Sequence, residues 1–157
     1  CQNKFGISIL YLYYTNMEIA ELFSQLLIDL QSLFRKNNKN LSLSLSQIVV
    51  LSSIPALGTT MSSLSSRIGV DNSTLTRLIN VLENKELVKK MGNPDDKRST
   101  IVVLTKLGEK NVNEIEININ RFSEDVVSSF SSVDRDIMKE MLNKLHWNLA
   151  KHKIKDN

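Results

Sequence analysis

The stretch from Thr60 to Leu104 constrains the fold more than any other part of this 157-residue chain. Its spacing predicts a short helix over 62–68, a turn at Gly69-Val70-Asp71 and a second helix over 72–84. Gly69 suits the left-handed position that ends a helix. Asp71 suits an N-cap, its carboxylate accepting from the open amides of the following turn. Helix, short glycine-containing turn and capped helix is the pattern of a helix-turn-helix. Leu87 to Met91 then reads as a strand, 92–98 as a turn-rich charged loop, and Thr100 to Leu104 as a β-branched return strand. A hairpin with a basic tip directly behind such a helix is a wing, and the pair constrains the fold more than either part.

The second helix has two faces. Leu75, Leu78, Ile79 and Leu82 recur at three- and four-residue intervals and form a packing stripe. Ser73, Thr76, Arg77, Asn80 and Asn84 share the opposite side, which carries hydroxyls, amides and one guanidinium but no carboxylate. That set suits phosphate oxygens and base edges. On an isolated helix a solvated face would be the favoured reading; the wing beside it shifts the balance toward nucleic acid.

The flanks are helical. Ile19, Leu22, Phe23, Leu26, Leu30 and Leu33 make one stripe of a helix over 17–34, broadened by Ala20 and Leu27. So apolar a helix needs cover over much of its circumference. Ser44 and Gln47 form a capping box for a helix running to about Ile54, which Pro55 and Gly58 break. Thr60-Met61 is a candidate third strand beside the wing. Thr105 is the expected cap of the longest helix, running to about Phe130, with Val112, Ile115, Ile119, Phe122 and Val126 on one line. Val133, Ile137, Met138, Met141, Leu142, Leu145 and Leu149 mark a last helix, followed by a basic tail over 151–155. The fold class is therefore mainly α with a small β-wing (α+β). We expect a single domain over 1–157, with the winged part at 43–104 and helical dimerisation parts at 1–40 and 105–157.

Residues 1–16 stand apart. Phe5 to Tyr14 is an apolar, aromatic run behind Lys4. It reads as a signal peptide without a convincing cleavage site, as an extension upstream of a start at Met17, or as an arm packed at a dimer interface. The third is favoured.

Several function classes lack their residues. No glycine-rich phosphate loop, His-Glu-x-x-His or paired-cysteine motif is present, so neither an enzyme, a cofactor nor a metal site is expected. The two histidines, His146 and His152, lie six apart, a poor spacing for one helical face. Cys1 is the single cysteine and offers no internal disulfide. No apolar run reaches transmembrane length, so no membrane partner and a cytoplasmic location are expected. The net charge of +3 permits a polyanion partner without demanding one.

The ordered series of motifs over 43–108 resembles the MarR family of transcriptional regulators. The residues that carry the resemblance are 64–70, 73–79, Leu82-Glu83, Leu87-Val88, 93–99 and 103–108. It implies a homodimeric winged helix-turn-helix protein, a repressor of palindromic double-stranded operator DNA. The candidate DNA contacts are Ser62, Ser63, Ser73, Thr74, Thr76, Arg77, Asn80, Lys89, Lys90, Asp96, Lys97 and Arg98. The Asp96-x-Arg98 spacing resembles the family's wing motif, in which the acid orients the arginine toward the minor groove. The resemblance further implies release by a small aromatic or phenolic effector; the oxidant-sensing cysteine of some relatives has no counterpart in the helix from Met17. The alternative is a winged-helix module that binds protein and no operator. One departure stands out. The family has glycine just before the Leu-Val that opens the wing, and this chain has Glu86. The helix must stop there, so Glu86 is expected at positive φ.

Overall fold

The computed structural model describes residues 17–94, 96 and 98–155. Lys97, Cys1 and the Phe5-to-Tyr14 run lie outside the described residues. The order of elements is α1 (Ile19–Asn37), a 3-10 turn (Lys39–Leu41), α2 (Leu45–Ser52), β1 (Thr59–Thr60), α3 (Met61–Ile68), α4 (Asn72–Asn84), β2 (Val88–Gly92), β3 (Thr100–Leu104), α5 (Lys106–Val127) and α6 (Ser132–Lys155). The three strands form one antiparallel sheet in the order β1-β3-β2. Two compact units divide between Ile119 and Asn120.

The local signals act as expected. The Ser44 hydroxyl accepts from the Gln47 amide at 3.2 Å while the Gln47 side chain accepts from the Ser44 amide at 2.9 Å, a complete capping box on α2. Thr60 pairs with Ile101 in β1 and also caps α3, its hydroxyl accepting from the Ser63 amide. Helix α3 thus starts at Met61, and β1 is Thr59–Thr60 rather than Thr60-Met61. Thr105 caps α5 by accepting from the Gly108 amide at 3.0 Å. The longest helix is α6, however, with 24 residues against 22 in α5. Helix α5 stops at Val127, where Ser128 turns its hydroxyl onto the Asp125 carbonyl.

The core of the first unit forms around α4. Leu75, Ile79 and Leu82 are fully buried against Ile48 and Leu51 of α2, Leu64 of α3, Val88 and Val102 of the sheet, and Ile115 of α5. Each such side chain contributes roughly 1.5–3 kcal/mol on leaving water. Leu78 is only half-buried. Asn38 is the buried polar link between α1 and α5. Its amide donates to the Phe34 carbonyl at 2.9 Å and its oxygen accepts from Asn118 at 3.2 Å.

The corner after α4 is the most constrained turn. Glu86 has φ +59°, as the missing glycine implied. Its amide donates to the Glu83 carbonyl at 2.8 Å, and the Leu87 amide reaches back to the Leu82 carbonyl at 3.0 Å. Those two bonds complete a Schellman ending, normally built on glycine. Leu82 and Leu87 are both buried, which supplies its hydrophobic contact. Thr105 then staples the turn: its hydroxyl donates to the Glu86 carbonyl at 2.6 Å and its amide to the Leu87 carbonyl at 3.1 Å. The first turn of α5 passes so near that a Cβ on Gly108 would stand 1.9 Å from the Leu87 oxygen.

The two long flanking helices show a different pattern. No residue of α1 is buried, and Ile19, Phe23, Leu27, Ile28 and Leu30 are exposed. In the second unit, Val133, Ile137, Met141, Leu142, Trp147 and Leu149 of α6 are also exposed. Arg135 holds the unit's turn by donating to the Phe130 and Ser128 carbonyls.

Two stability measurements follow from the corner. Glu86→Gly should stabilise the fold slightly, by roughly 1 kcal/mol at most, seen as a small rise in thermal unfolding temperature, since strain is relieved while the unfolded chain gains freedom. Gly108→Ala should lower it despite about 1 kcal/mol of better helix propensity. The clash is with backbone, so a loss of about 1–3 kcal/mol is expected.

Candidate nucleic-acid interface

Helices α3 and α4 meet at Gly69, whose φ of +73° lets its amide donate to the Ser65 carbonyl at 2.9 Å. No atom lies within 4 Å of a Cβ at that glycine, so conformation and not space selects it. Asp71 opens α4. One carboxylate oxygen accepts from the Ser73 hydroxyl at 2.5 Å and the Thr74 amide at 2.8 Å; the other accepts from the Thr74 hydroxyl at 2.7 Å. The Ser73 hydroxyl, then the Thr74 amide and hydroxyl, hold the Asp71 carboxyl well below its ordinary value of 3.8.

The polar face of α4 is as the periodicity implied. Ser73, Thr76, Arg77, Asn80 and Asn84 are all exposed. Thr76 turns its hydroxyl proton back to the Asn72 carbonyl at 2.7 Å, and Ser73 gives its own to Asp71, so both offer lone pairs outward. Thr74 departs from this group. It is half-buried and lines a cavity of about 200 Å³ with Leu45, Val49, Ile68, Val70 and Leu78. Ser62 and Ser63 are exposed at the start of α3, joined to Thr60 through their hydroxyls.

The wing comes back beside these helices. A cleft of about 320 Å³ is lined by Thr60, Met61 and Ser62, by Asn72 and Thr76, and by Arg98, Ser99 and Thr100. It unites Ser62, Thr76 and Arg98, candidates separated by up to 36 positions in the chain. Asn72, Ser99 and Thr100 were not among the candidates. Asn72 sits one turn before Thr76, a helical spacing that could have included it.

The wing residues play distinct parts. The orienting role that the resemblance implied for Asp96 takes the form of a bond to the main chain of Arg98. The Asp96 carboxylate accepts from the Arg98 main-chain amide at 3.0 Å, and its carbonyl accepts from the Ser99 amide at 2.9 Å. Asparagine and serine close the loop: the Asn93 side chain donates to the Ser99 hydroxyl at 2.8 Å. The acid thus shapes the backbone that carries Arg98, a side-chain-to-main-chain turn of the Asx type. Lys89 and Lys90 alternate along β2 and fall on opposite sides of the sheet. Lys89 is exposed. Lys90, across from Val102, folds onto α4: its ammonium donates to Asn80 at 2.6 Å and to Glu83 at 2.8 Å. That ammonium holds the Glu83 carboxyl below the ordinary carboxylate range. Two of the candidates are therefore partners of each other. Among the described residues, no group of acids, histidines and cysteines could hold a metal, and no helix is long and apolar enough to cross a membrane.

Residues 43–100, the span of α2 to the wing, match the family model described as the MarR family. The matched stretch is the winged part of the chain. It is similar to the MarR protein from Peptoclostridium difficile DA00132, with 23% identity, a TM-score of 0.77, and 90% of this chain and 94% of that one covered. A mutant MarR from E. coli, solved in complex with operator DNA, is similar at 22% identity and a TM-score of 0.69, covering 81% and 92%. Likeness at these identities concerns the fold. In sequence, the HTH-type transcriptional regulator YdgJ of Bacillus subtilis (strain 168) is 26% identical over 88 residues, which is 56% of this chain and 54% of that protein. The chain spans about half the length of the curated relatives it matches.

The cap of α4 should respond to acid in a defined direction. A carboxyl with a depressed folded pKa contributes stability that is complete above its unfolded value and lost as pH falls toward the folded one. The melting-temperature advantage of the unaltered chain over Asp71→Ala should be constant from about pH 7 to about pH 4. Below the ordinary value of 3.8 it should shrink. Thermal scans across that range check this, and an advantage that grows in acid would contradict the hydrogen-bond account.

Proposed function

We propose that this chain is a sequence-specific, double-stranded DNA-binding transcriptional regulator. It acts as a homodimeric repressor on a two-fold operator and is released by a small effector. The observation that carries the reading is the cleft joining α3, α4 and the wing. It sets Arg98 beside Thr76 and Ser62, continuous with the exposed Ser73, Arg77 and Asn80 face. A helix with outward hydroxyls and a guanidinium fits a major groove, and a held arginine at the wing fits the negative potential of a narrow minor groove. The E. coli relative solved on operator DNA supports the same use of this fold. In this reading 43–104 is the DNA-binding part, with Lys89 and Lys97 of the wing adding phosphate contacts.

The homodimer is supported by the flanking helices. Helices α1 and α6 each leave several large apolar side chains exposed, and contiguous apolar surface of that kind marks an interaction site. A second copy is the cover that also gives two reading heads for a two-fold site. The effector is supported by the cavity beneath Thr74. Its lining by leucine, valine and isoleucine suits a small aromatic ring, and no charged side chain lines it to pair with a carboxylate.

Selection of bound sequences from random duplex tests the whole reading. Enrichment of an inverted repeat, its halves about one helical turn apart, is the expected result. A single half-site would overturn the dimer, and no enrichment or binding would favour a protein-binding module. Affinity for the selected site should fall steeply with salt. Arg77→Ala should lose roughly five- to hundredfold in affinity at one base pair and little at its neighbours. Uniform loss across sequences would assign Arg77 to phosphate.

A further inference from the structure

Lys90 and Asn80 meet across the junction of the wing and α4, and their chemistry fixes which way the asparagine faces. A lysine ammonium has three donors and no acceptor. At 2.6 Å its partner on Asn80 must be the side-chain oxygen, because the amide nitrogen would oppose donor to donor. Glu83 keeps the lysine in place from both ends. One carboxylate oxygen accepts from the ammonium at 2.8 Å and the other from the Lys90 main-chain amide at 3.3 Å. The root of the lysine is fixed as well, since Lys90 pairs with the buried Val102 in the centre of the sheet.

Resting on the DNA-binding reading above, we propose that Lys90 and Asn80 form a single donor-only reader on the recognition helix, selecting guanine and rejecting adenine. Asparagine alone addresses adenine with both halves of its amide, the oxygen accepting from N6 and the nitrogen donating to N7. Here the oxygen already carries a cation. An adenine amino group approaching it would face an ammonium a few ångströms away, donor against donor. Guanine offers two acceptors, O6 and N7, on the same edge. The Asn80 amino group and the remaining ammonium proton can both serve them. Asn80 stands one turn beyond Thr76 and Arg77 on the exposed face, so it addresses a base pair adjacent to theirs. Specificity at that base pair is therefore set partly by a residue of the wing strand.

The test uses the full chain, the Lys90→Met and Asn80→Ala variants, and DNA selected by the unaltered chain, with each base pair varied singly. Methionine keeps the aliphatic length of lysine and removes the charge. The expected result is a base pair at which the unaltered chain prefers guanine and Asn80→Ala has no preference. At that base pair Lys90→Met should gain roughly fivefold or more in relative affinity for adenine. A second readout needs no DNA: the side-chain amide proton resonances of Asn80 should shift in Lys90→Met, while a melting curve shows the fold intact. Uniform weakening by Lys90→Met with unchanged base preference would overturn the proposal and make Lys90 a phosphate contact. Unmoved Asn80 amide resonances would overturn it too. Failure of the unaltered chain to bind any duplex would instead overturn the DNA-binding reading itself, and this proposal with it.

Discussion

The reversal between Leu82 and Val88 sets the wing relative to the recognition helix. A helix ended by glycine would reach the same left-handed turn without strain. This chain does so with Glu86, and the surroundings hold it there. Buried Leu82 and Leu87 pin both sides of the corner, and Thr105 ties its two carbonyls to the start of α5. The strain of one left-handed residue is on the order of 1 kcal/mol. Burial of two leucines exceeds that several-fold, so the turn holds without its usual residue. Gly108 is required by the same corner, because α5 must pass against the Leu87 carbonyl.

Around that corner, hydrogen bonds decide what the polar face offers. Asp71 takes the protons of Ser73 and Thr74, and Asn72 takes that of Thr76 through its carbonyl. Lys90 takes the oxygen of Asn80. The face is therefore less interchangeable than its composition: Ser73, Thr76 and Asn80 each have one hydrogen-bonding half already used.

The flanking helices follow a different logic. Helix α1 is amphipathic, yet it buries no residue within the chain, while α4 buries three. Its Phe34 packs against the core of the first unit, while Ile19, Phe23, Leu27, Ile28 and Leu30 are left exposed. In the homodimer proposed above, a second copy would cover this exposed face and bring two winged parts together.

Much of the fold is local and so was legible from residue order. Gly69, Asp71 and Ser44 with Gln47 each act through partners within four residues, as does the cap that Thr105 places on Gly108. The positive φ of Glu86 followed because a helix and a strand had to meet there. The polar face of α4 was readable from a period of 3.6. The pairings were not. Whether Lys90 faces Asn80 and Glu83 depends on the register of β2 against Val102, and neighbours in a strand give no sign of which lysine turns inward. Asp96 was placed correctly at the wing, but a two-residue spacing allows a bond to the guanidinium or to the amide, and the folded loop decided for the amide. The cleft joining Ser62, Thr76 and Arg98 is a product of the hairpin's return over α3, a contact between segments far apart in sequence. What the sequence determined by itself was which segments are helix, turn and wing. Tertiary structure alone decided which half of each polar side chain is left to meet a partner, because that depends on atoms brought together from separate elements.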